Sequence, residues 1–227
     1  MAELVSFELR GRVALVTMDD GKANALSFDM LAALHGALDR AEKEAQAMVL
    51  AGREGRFCAG FDLKTMMAGM ESATKLVSTG ADLYLRLYAL PLPVVAACTG
   101  HALAGGALLL LSSDTRIGQE GEFKIGLNEV AISMPLPVLA QELARDRLDK
   151  RHLTAAAIQA RIYTPDGACE AGYLDELADD AVATAVERAA ALGELPNHAY
   201  ANTKAKLREA TINHIRATLT SDMERLA

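Results

Sequence analysis

Cysteine is scarce in this 227-residue chain. Cys58, Cys98 and Cys169 leave an odd count and no CxxC spacing, which excludes a disulfide framework and argues against a structural zinc site. They read as reduced thiols inside a cell. Proline, at 6 residues, and glycine, at 17, are too few for a low-complexity or disordered chain. Basic charge is also short: 23 Lys and Arg against 30 Asp and Glu leave a net charge of −7, the wrong sign for a surface that neutralises nucleic-acid phosphates. The longest apolar run, Ala102 to Leu111, is too short to span a bilayer and is broken by Gly105 and Gly106. Met1 to Arg10 contains Glu3 and Glu8 and no apolar run, so no signal peptide is expected. The expected setting is the cytoplasm, with neither a nucleic acid nor a membrane as partner.

The chain has ample material for a core, since 51% of it is apolar and 23% charged. Val5–Leu9 and Val13–Met18, β-rich and separated by Arg10-Gly11-Arg12, predict a hairpin. A strongly periodic helix follows over about Phe28–Glu44, capped by Ser27, and then a strand over Gln46–Leu50. A short helix from about Asp62 and a longer one over Leu76–Leu90, ended by Pro91 and Pro93, precede a buried strand at Val94–Cys98. Ala107–Leu111 is apolar all round and should cross the core. Asp114–Ile117 reads as another strand. Helices are expected near Val138–Arg145, Lys150–Ala160, Asp166–Gly172, Ala181–Leu192 and His198–Leu219. The alternation predicts an α/β fold with a mostly parallel sheet, with a core over residues 1–195 and a helical C-terminal region over 196–227.

Three stretches carry candidate chemistry. Arg56-Phe57-Cys58-Ala59-Gly60-Phe61-Asp62-Leu63-Lys64 and Leu103-Ala104-Gly105-Gly106 are glycine turns that enter helices, where backbone N–H groups are left free to face an anion. Two such turns are what a two-donor oxyanion hole needs, although a lone glycine pair more often serves close packing. In Ile125-Gly126-Leu127-Asn128-Glu129-Val130 a carboxylate stands among aliphatic residues. By itself Glu129 is either a surface residue on an amphipathic turn or a buried acid with a raised pKa.

From its first strand to about Lys206 the chain resembles the crotonase, or enoyl-CoA hydratase/isomerase, family. The resemblance is carried, in order, by Lys22-Ala23-Asn24-Ala25-Leu26, Phe57-Cys58-Ala59-Gly60-Phe61-Asp62-Leu63, Gly100-His101-Ala102-Leu103-Ala104-Gly105-Gly106, Asn128-Glu129-Val130 and Ala168-Cys169-Glu170-Ala171-Gly172-Tyr173-Leu174-Asp175. It implies a crotonase-like spiral of ββα repeats with a helical C-terminal region. It also implies an acyl-CoA thioester whose oxygen sits between the N–H groups of Phe61 and Gly105, and Glu129 as the acid/base. Coenzyme A would be held along Lys22, Ala23, Ala25, Ala59, Asp62, Leu63 and Lys64. No cofactor beyond the CoA thioester and no metal is implied.

Hydratases of the family carry a first glutamate three residues after the position matched by Gly105, and here that position is Leu108. One carboxylate moves a proton well but positions water poorly. The resemblance therefore implies isomerisation of a 3-enoyl-CoA to a 2-enoyl-CoA first, with hydration, thioester hydrolysis and a non-catalytic acyl-CoA-binding or assembly role as alternatives. The family's chains usually continue further past the Thr203-Lys204 helix, so the homotrimer or hexamer that the resemblance implies is expected to be weakened. Lys204 and Lys206 are expected on an exposed helix face, Asp114, Glu120 and Glu122 in turns or on the surface, and His101 in a structural role. Asp62 is expected to cap its helix, and Met66, Met67 and Met70 to pack in the core more readily than to line an acyl tunnel.

Overall fold

The structure, a computed structural model, describes residues 3–226. Its strands are β1 (Val5–Arg10), β2 (Val13–Met18), β3 (Ala47–Ala51), β4 (Gly55–Cys58), β5 (Val94–Cys98), β6 (Gly100–Leu103), β7 (Thr115–Gln119), β8 (Ile125–Gly126) and β9 (Glu176–Ala178). Six of them form one sheet in the order β1-β2-β3-β5-β7-β9, and β4-β6-β8 form a second. Only the β1–β2 hairpin is antiparallel, with Val5 opposite Met18 and Arg10 opposite Val13; every other named pair runs parallel.

The chain climbs as a spiral. β3 and β4, β5 and β6, and β7 and β8 each place one strand in the large sheet and the next in the small one, and helices close the turns. These helices are α1 (Phe28–Glu44), α2 (Leu63–Met66), α3 (Met70–Ala89) and α4 (Gly105–Ser112). α1 starts where the sequence puts it, because the Ser27 side chain accepts from the Met30 N–H. All eight residues of α4 are buried, as its unbroken apolar sequence requires.

Beyond β8 the chain is mainly helical: α5 (Val138–Arg147), α6 (Lys150–Leu153), α7 (Pro165–Ala171), α8 (Ala181–Gly193) and α9 (Asn197–Leu226). The helix expected over Lys150–Ala160 changes at Thr154 into one π turn, Thr154–Ile158. Successive residues of β3 face opposite sides of the sheet. Met48 and Leu50 join the large core with α1, α3 and α4, while Val49 and Ala51 meet Ala181, Ala185 and Ala189 of α8. Those alanines, one helical turn apart, let α8 lie close on the sheet.

Lys204 is not on an exposed helix face, and of the two settings expected for Asp114, a turn or the surface, it takes the first, in the bend before β7 with its side chain buried. The Lys204 Nζ lies 2.7 Å from an Asp114 carboxylate oxygen, and Arg208 approaches the other oxygen at 2.8 Å, with side-chain exposures of 6%, 8% and 9% for Lys204, Arg208 and Asp114. Asp114 also accepts from the Val94 N–H at 2.8 Å. These ties fasten α9 to the start of β5. Helical periodicity cannot reveal them, because the partners are 90 or more positions apart. Lys206 is exposed, as expected.

Candidate active site

The segments 20–26 and 57–62 lie side by side as a ledge. The Ala59 N–H donates to the Ala23 carbonyl at 3.0 Å, Leu26 to Gly60 at 2.8 Å and Asp62 to Leu26 at 3.2 Å. Asn24 shapes the first strip. It is fully buried with φ +54, and its Nδ2 donates to the carbonyls of Met18, Arg56 and Phe57 at 3.0 to 3.1 Å. Asp20 accepts from the N–H groups of Lys22, Asn24 and Ala25. Burial works against the Asp20 charge, but these bonds prevail and hold its carboxyl below the usual range. The ledge is thus built by short polar side chains that satisfy a tight loop.

The ledge ends in the first candidate N–H donor. The bridge between Leu26 and Phe61 is parallel and uses the N–H groups of Leu26 and Asp62, so the N–H of Phe61 points the other way. Gly105 opens α4, where a helix leaves its first N–H groups unpaired. Among the described residues neither N–H has a partner. The two turns touch: a Cβ built at Gly60 would lie 3.2 Å from the Gly105 nitrogen, and one at Gly105 3.3 Å from the Gly60 Cα. Gly60 has φ +95, and Ala104, just before the helix, has φ +49. Gly106 allows the close approach of α4 to β4, since a Cβ there would sit 2.0 Å from the Cys58 carbonyl oxygen.

Glu129 follows β8, which pairs with β6 so that Leu103 lies opposite Gly126, and the Ala104 N–H donates to the Gly126 carbonyl at 3.0 Å. One ladder therefore fixes the glutamate relative to the Gly105 turn. Glu129 is only 9% exposed, and its Oε2 is buried with no hydrogen-bond partner among the described residues. Burial pushes its carboxyl up from 4.5 to about 7, against a smaller opposing pull from the backbone N–H groups of Glu129 and Asn128. Of the two readings open for an isolated Glu129, the buried acid is the one realised.

A small cavity of about 20 Å³ adjoins the turns, walled by Phe61, Tyr84, Leu108 and Leu139 with Leu219 of α9. Its lining carries no carboxylate among the described residues. Leu108 is 3% exposed, one helical turn beyond Gly105.

The other sequence candidates are distributed as follows. Ala23, Ala25 and Ala59 form the ledge, and Lys22, Leu63 and Lys64 are exposed at its rim. The Asp62 carboxylate accepts from the Thr65 N–H and hydroxyl at 2.8 and 2.7 Å, as a helix cap. His101 accepts from the Lys124 N–H at 3.0 Å and stands edge-on to Phe123, a structural setting. Met67 and Met70 are 84% and 54% exposed, so they do not pack in the core; Met66 is partly buried against it. Tyr84, which lines the small cavity, belongs to no sequence motif. Its setting depends on α3 crossing α4, which no local pattern encodes.

Comparison with known proteins gives a consistent result. The enoyl-CoA hydratase/isomerase family model matches residues 8–226. A crystal structure of an enoyl-CoA hydratase/isomerase family protein from Pseudomonas syringae is 40% identical with a TM-score of 0.96, covering 99% of this chain and 98% of that one. An enoyl-CoA hydratase from Mycobacterium ulcerans is 35% identical with a TM-score of 0.93, covering 98% of each chain. Human mitochondrial delta3-delta2-enoyl-CoA isomerase is 28% identical with a TM-score of 0.93, covering 98% of this chain and 90% of that one. Among the described residues no helix is long and apolar enough to cross a membrane.

Proposed function

The chain belongs to the enoyl-CoA hydratase/isomerase family, and from that premise we propose that it moves the double bond of a 3-enoyl-CoA to the 2-position with Glu129 as the single acid and base. One observation carries the reading: Glu129 is buried with its Oε2 unpartnered, while the position one turn beyond Gly105 is the apolar Leu108, in a cavity lining that holds no carboxylate among the described residues. The N–H groups of Phe61 and Gly105 donate hydrogen bonds to the thioester oxygen and stabilise the negative charge that develops on it. Glu129 takes a proton from carbon 2, the electron pair spreads to the oxygen as a dienolate, and the same proton returns at carbon 4. The raised Glu129 pKa suits a group that must both take and return a proton near neutrality.

Coenzyme A lies along Ala23, Ala25, Ala59 and Leu63, with the exposed Lys22 and Lys64 free to meet its phosphates. Asp62 shapes this surface rather than binding through free groups, since its N–H is bonded to Leu26 and its carboxylate to Thr65. Hydration is the second reading, favoured by relatives that are named hydratases. Assembly into a homotrimer or hexamer belongs to the same proposal, and the exposed Val130, Ile132 and Leu207 offer apolar surface for it; sedimentation velocity is the check.

The test supplies a 3-enoyl-CoA and a 2-enoyl-CoA separately and follows double-bond migration and hydration. Migration should be the faster reaction and should fall at least about 1,000-fold in Glu129→Gln. Faster hydration, or turnover that survives Glu129→Gln, would overturn the assignment.

A further inference from the structure

We propose that the Tyr84 hydroxyl is a third hydrogen-bond donor to the substrate's thioester oxygen, beside the N–H groups of Phe61 and Gly105; this rests on the enolate chemistry proposed above. Tyr84 is 1% exposed, and its hydroxyl is buried with no hydrogen-bond partner among the described residues. Buried phenols usually find a partner. Tyr88, one turn further along α3, does so by donating to Asp146 at 2.6 Å. The Tyr163 and Tyr173 hydroxyls are also buried without a partner among the described residues, but of these three only Tyr84 lines the cavity beside the glycine turns, and its place there is what points to a ligand.

The surroundings place that hydroxyl against the oxyanion turn. A Cβ built at Gly105 would come within 2.5 Å of the Tyr84 Oη, so the glycine that offers one of the N–H donors also makes room for the phenol. The Phe61 ring, on the residue that offers the other, meets the Tyr84 ring edge-on at 6.2 Å and 68°. Gly80, one turn before Tyr84 on α3, clears space for the Phe61 ring, whose Cε1 and Cζ would lie 2.4 Å from a Cβ there. Phe61, Tyr84 and Leu108 wall the same cavity.

The hydroxyl stays protonated, and so remains a donor, at neutral pH. Burial first, then the proximity of Cys58 and Glu129, raises its pKa well above the usual tyrosine value. Tyr84 Oη and Glu129 Oε2 are both buried, and neither has a hydrogen-bond partner among the described residues. A substrate enolate between them would satisfy both: Glu129 reaches its carbon skeleton and Tyr84 its oxygen. A third donor aimed at the developing charge acts in the transition state more than in the ground state.

The experiment compares the protein with its Tyr84→Phe variant, which keeps the ring and removes only the hydroxyl. We expect kcat for isomerisation to fall about 10- to 100-fold with KM within about threefold. The thioester carbonyl stretch of a bound saturated acyl-CoA, read by difference Raman spectroscopy, should move back toward its free value. A purely structural hydroxyl would move neither readout. An unchanged kcat with an unchanged carbonyl band overturns the proposal, as does a variant whose plateau rate is intact but whose acid limb has shifted, because the hydroxyl would then serve Glu129. Glu129→Gln is assayed in parallel. If it stops turnover while Tyr84→Phe does not slow it, only the third donor falls. If the wild-type protein neither moves the double bond nor exchanges carbon-2 protons of a saturated acyl-CoA with deuterium, both readings fall.

Discussion

Glu129 links activity to stability through one number. Its carboxyl is raised from 4.5 to about 7 by burial, so the proposed base should be about one-tenth ionised at pH 6 and about nine-tenths at pH 8. Isomerisation kcat/KM should then rise about tenfold between those values and level off above them; a carboxyl at its ordinary pKa would leave the rate nearly flat across this range. The same shift sets a stability cost. A carboxyl with a raised folded-state pKa contributes stability that is fully present below the unfolded value and is lost as pH rises through the folded one. The window therefore runs from pH 4.5 to about 7. At about 1.4 kcal/mol per pH unit, the full loss is about 3 kcal/mol. Glu129→Gln, which cannot ionise, should gain on the wild-type protein by about 1 kcal/mol at pH 5 and about 3 kcal/mol at pH 8. Urea unfolding of both proteins at pH 5, 6, 7 and 8 measures this. A stability difference that does not change with pH, or a kinetic pKa near 4.5, would refute the claim that burial sets the base.

Asp114→Asn should destabilise the protein by about 3 to 5 kcal/mol, because it removes the counter-charge of the buried Lys204 and Arg208; thermal melts read the loss, and Asp114→Asn combined with Lys204→Met should recover part of it. Leu108→Glu should raise hydration of a 2-enoyl-CoA relative to isomerisation at least about tenfold by giving Glu129 a second carboxylate to hold water with, and an unchanged ratio of the two rates would show that Leu108 does not set the reaction. Asn24→Ala strips the ledge of bonds to Met18, Arg56 and Phe57; it should cost about 2 to 4 kcal/mol and raise KM for acyl-CoA more than it lowers kcat.

Local sequence determined much of this protein. The Ser27 cap and the apolar period set α1 to its terminal residues, Gly11 set the hairpin, and the all-apolar α4 could only run through the core. The grouping of the two glycine turns and Glu129 into one site was implied by the family resemblance and not by any local pattern. The local features are legible because each depends on neighbours within a few positions: a cap three residues away, a period of 3.6, or a glycine where φ is positive.

Tertiary structure decided what depends on distant partners. β4 and β6 are four residues each, β8 two and β9 three; such strands carry too little pattern to declare themselves and exist because a parallel neighbour supplies their hydrogen bonds. Asp114 and Lys204 look like surface charges in sequence and are buried because each finds the other across 90 positions. Glu129 reads as an ordinary carboxylate until the pairing of β6 with β8 fixes it in a buried position, where loss of water raises its pKa toward neutrality. Tyr84 is one more aromatic on an amphipathic helix until the crossing of α3 over α4 brings its hydroxyl against Gly105. The sequence supplied the reactive groups, and the fold set their solvation and their distances to one another, on which the chemistry depends.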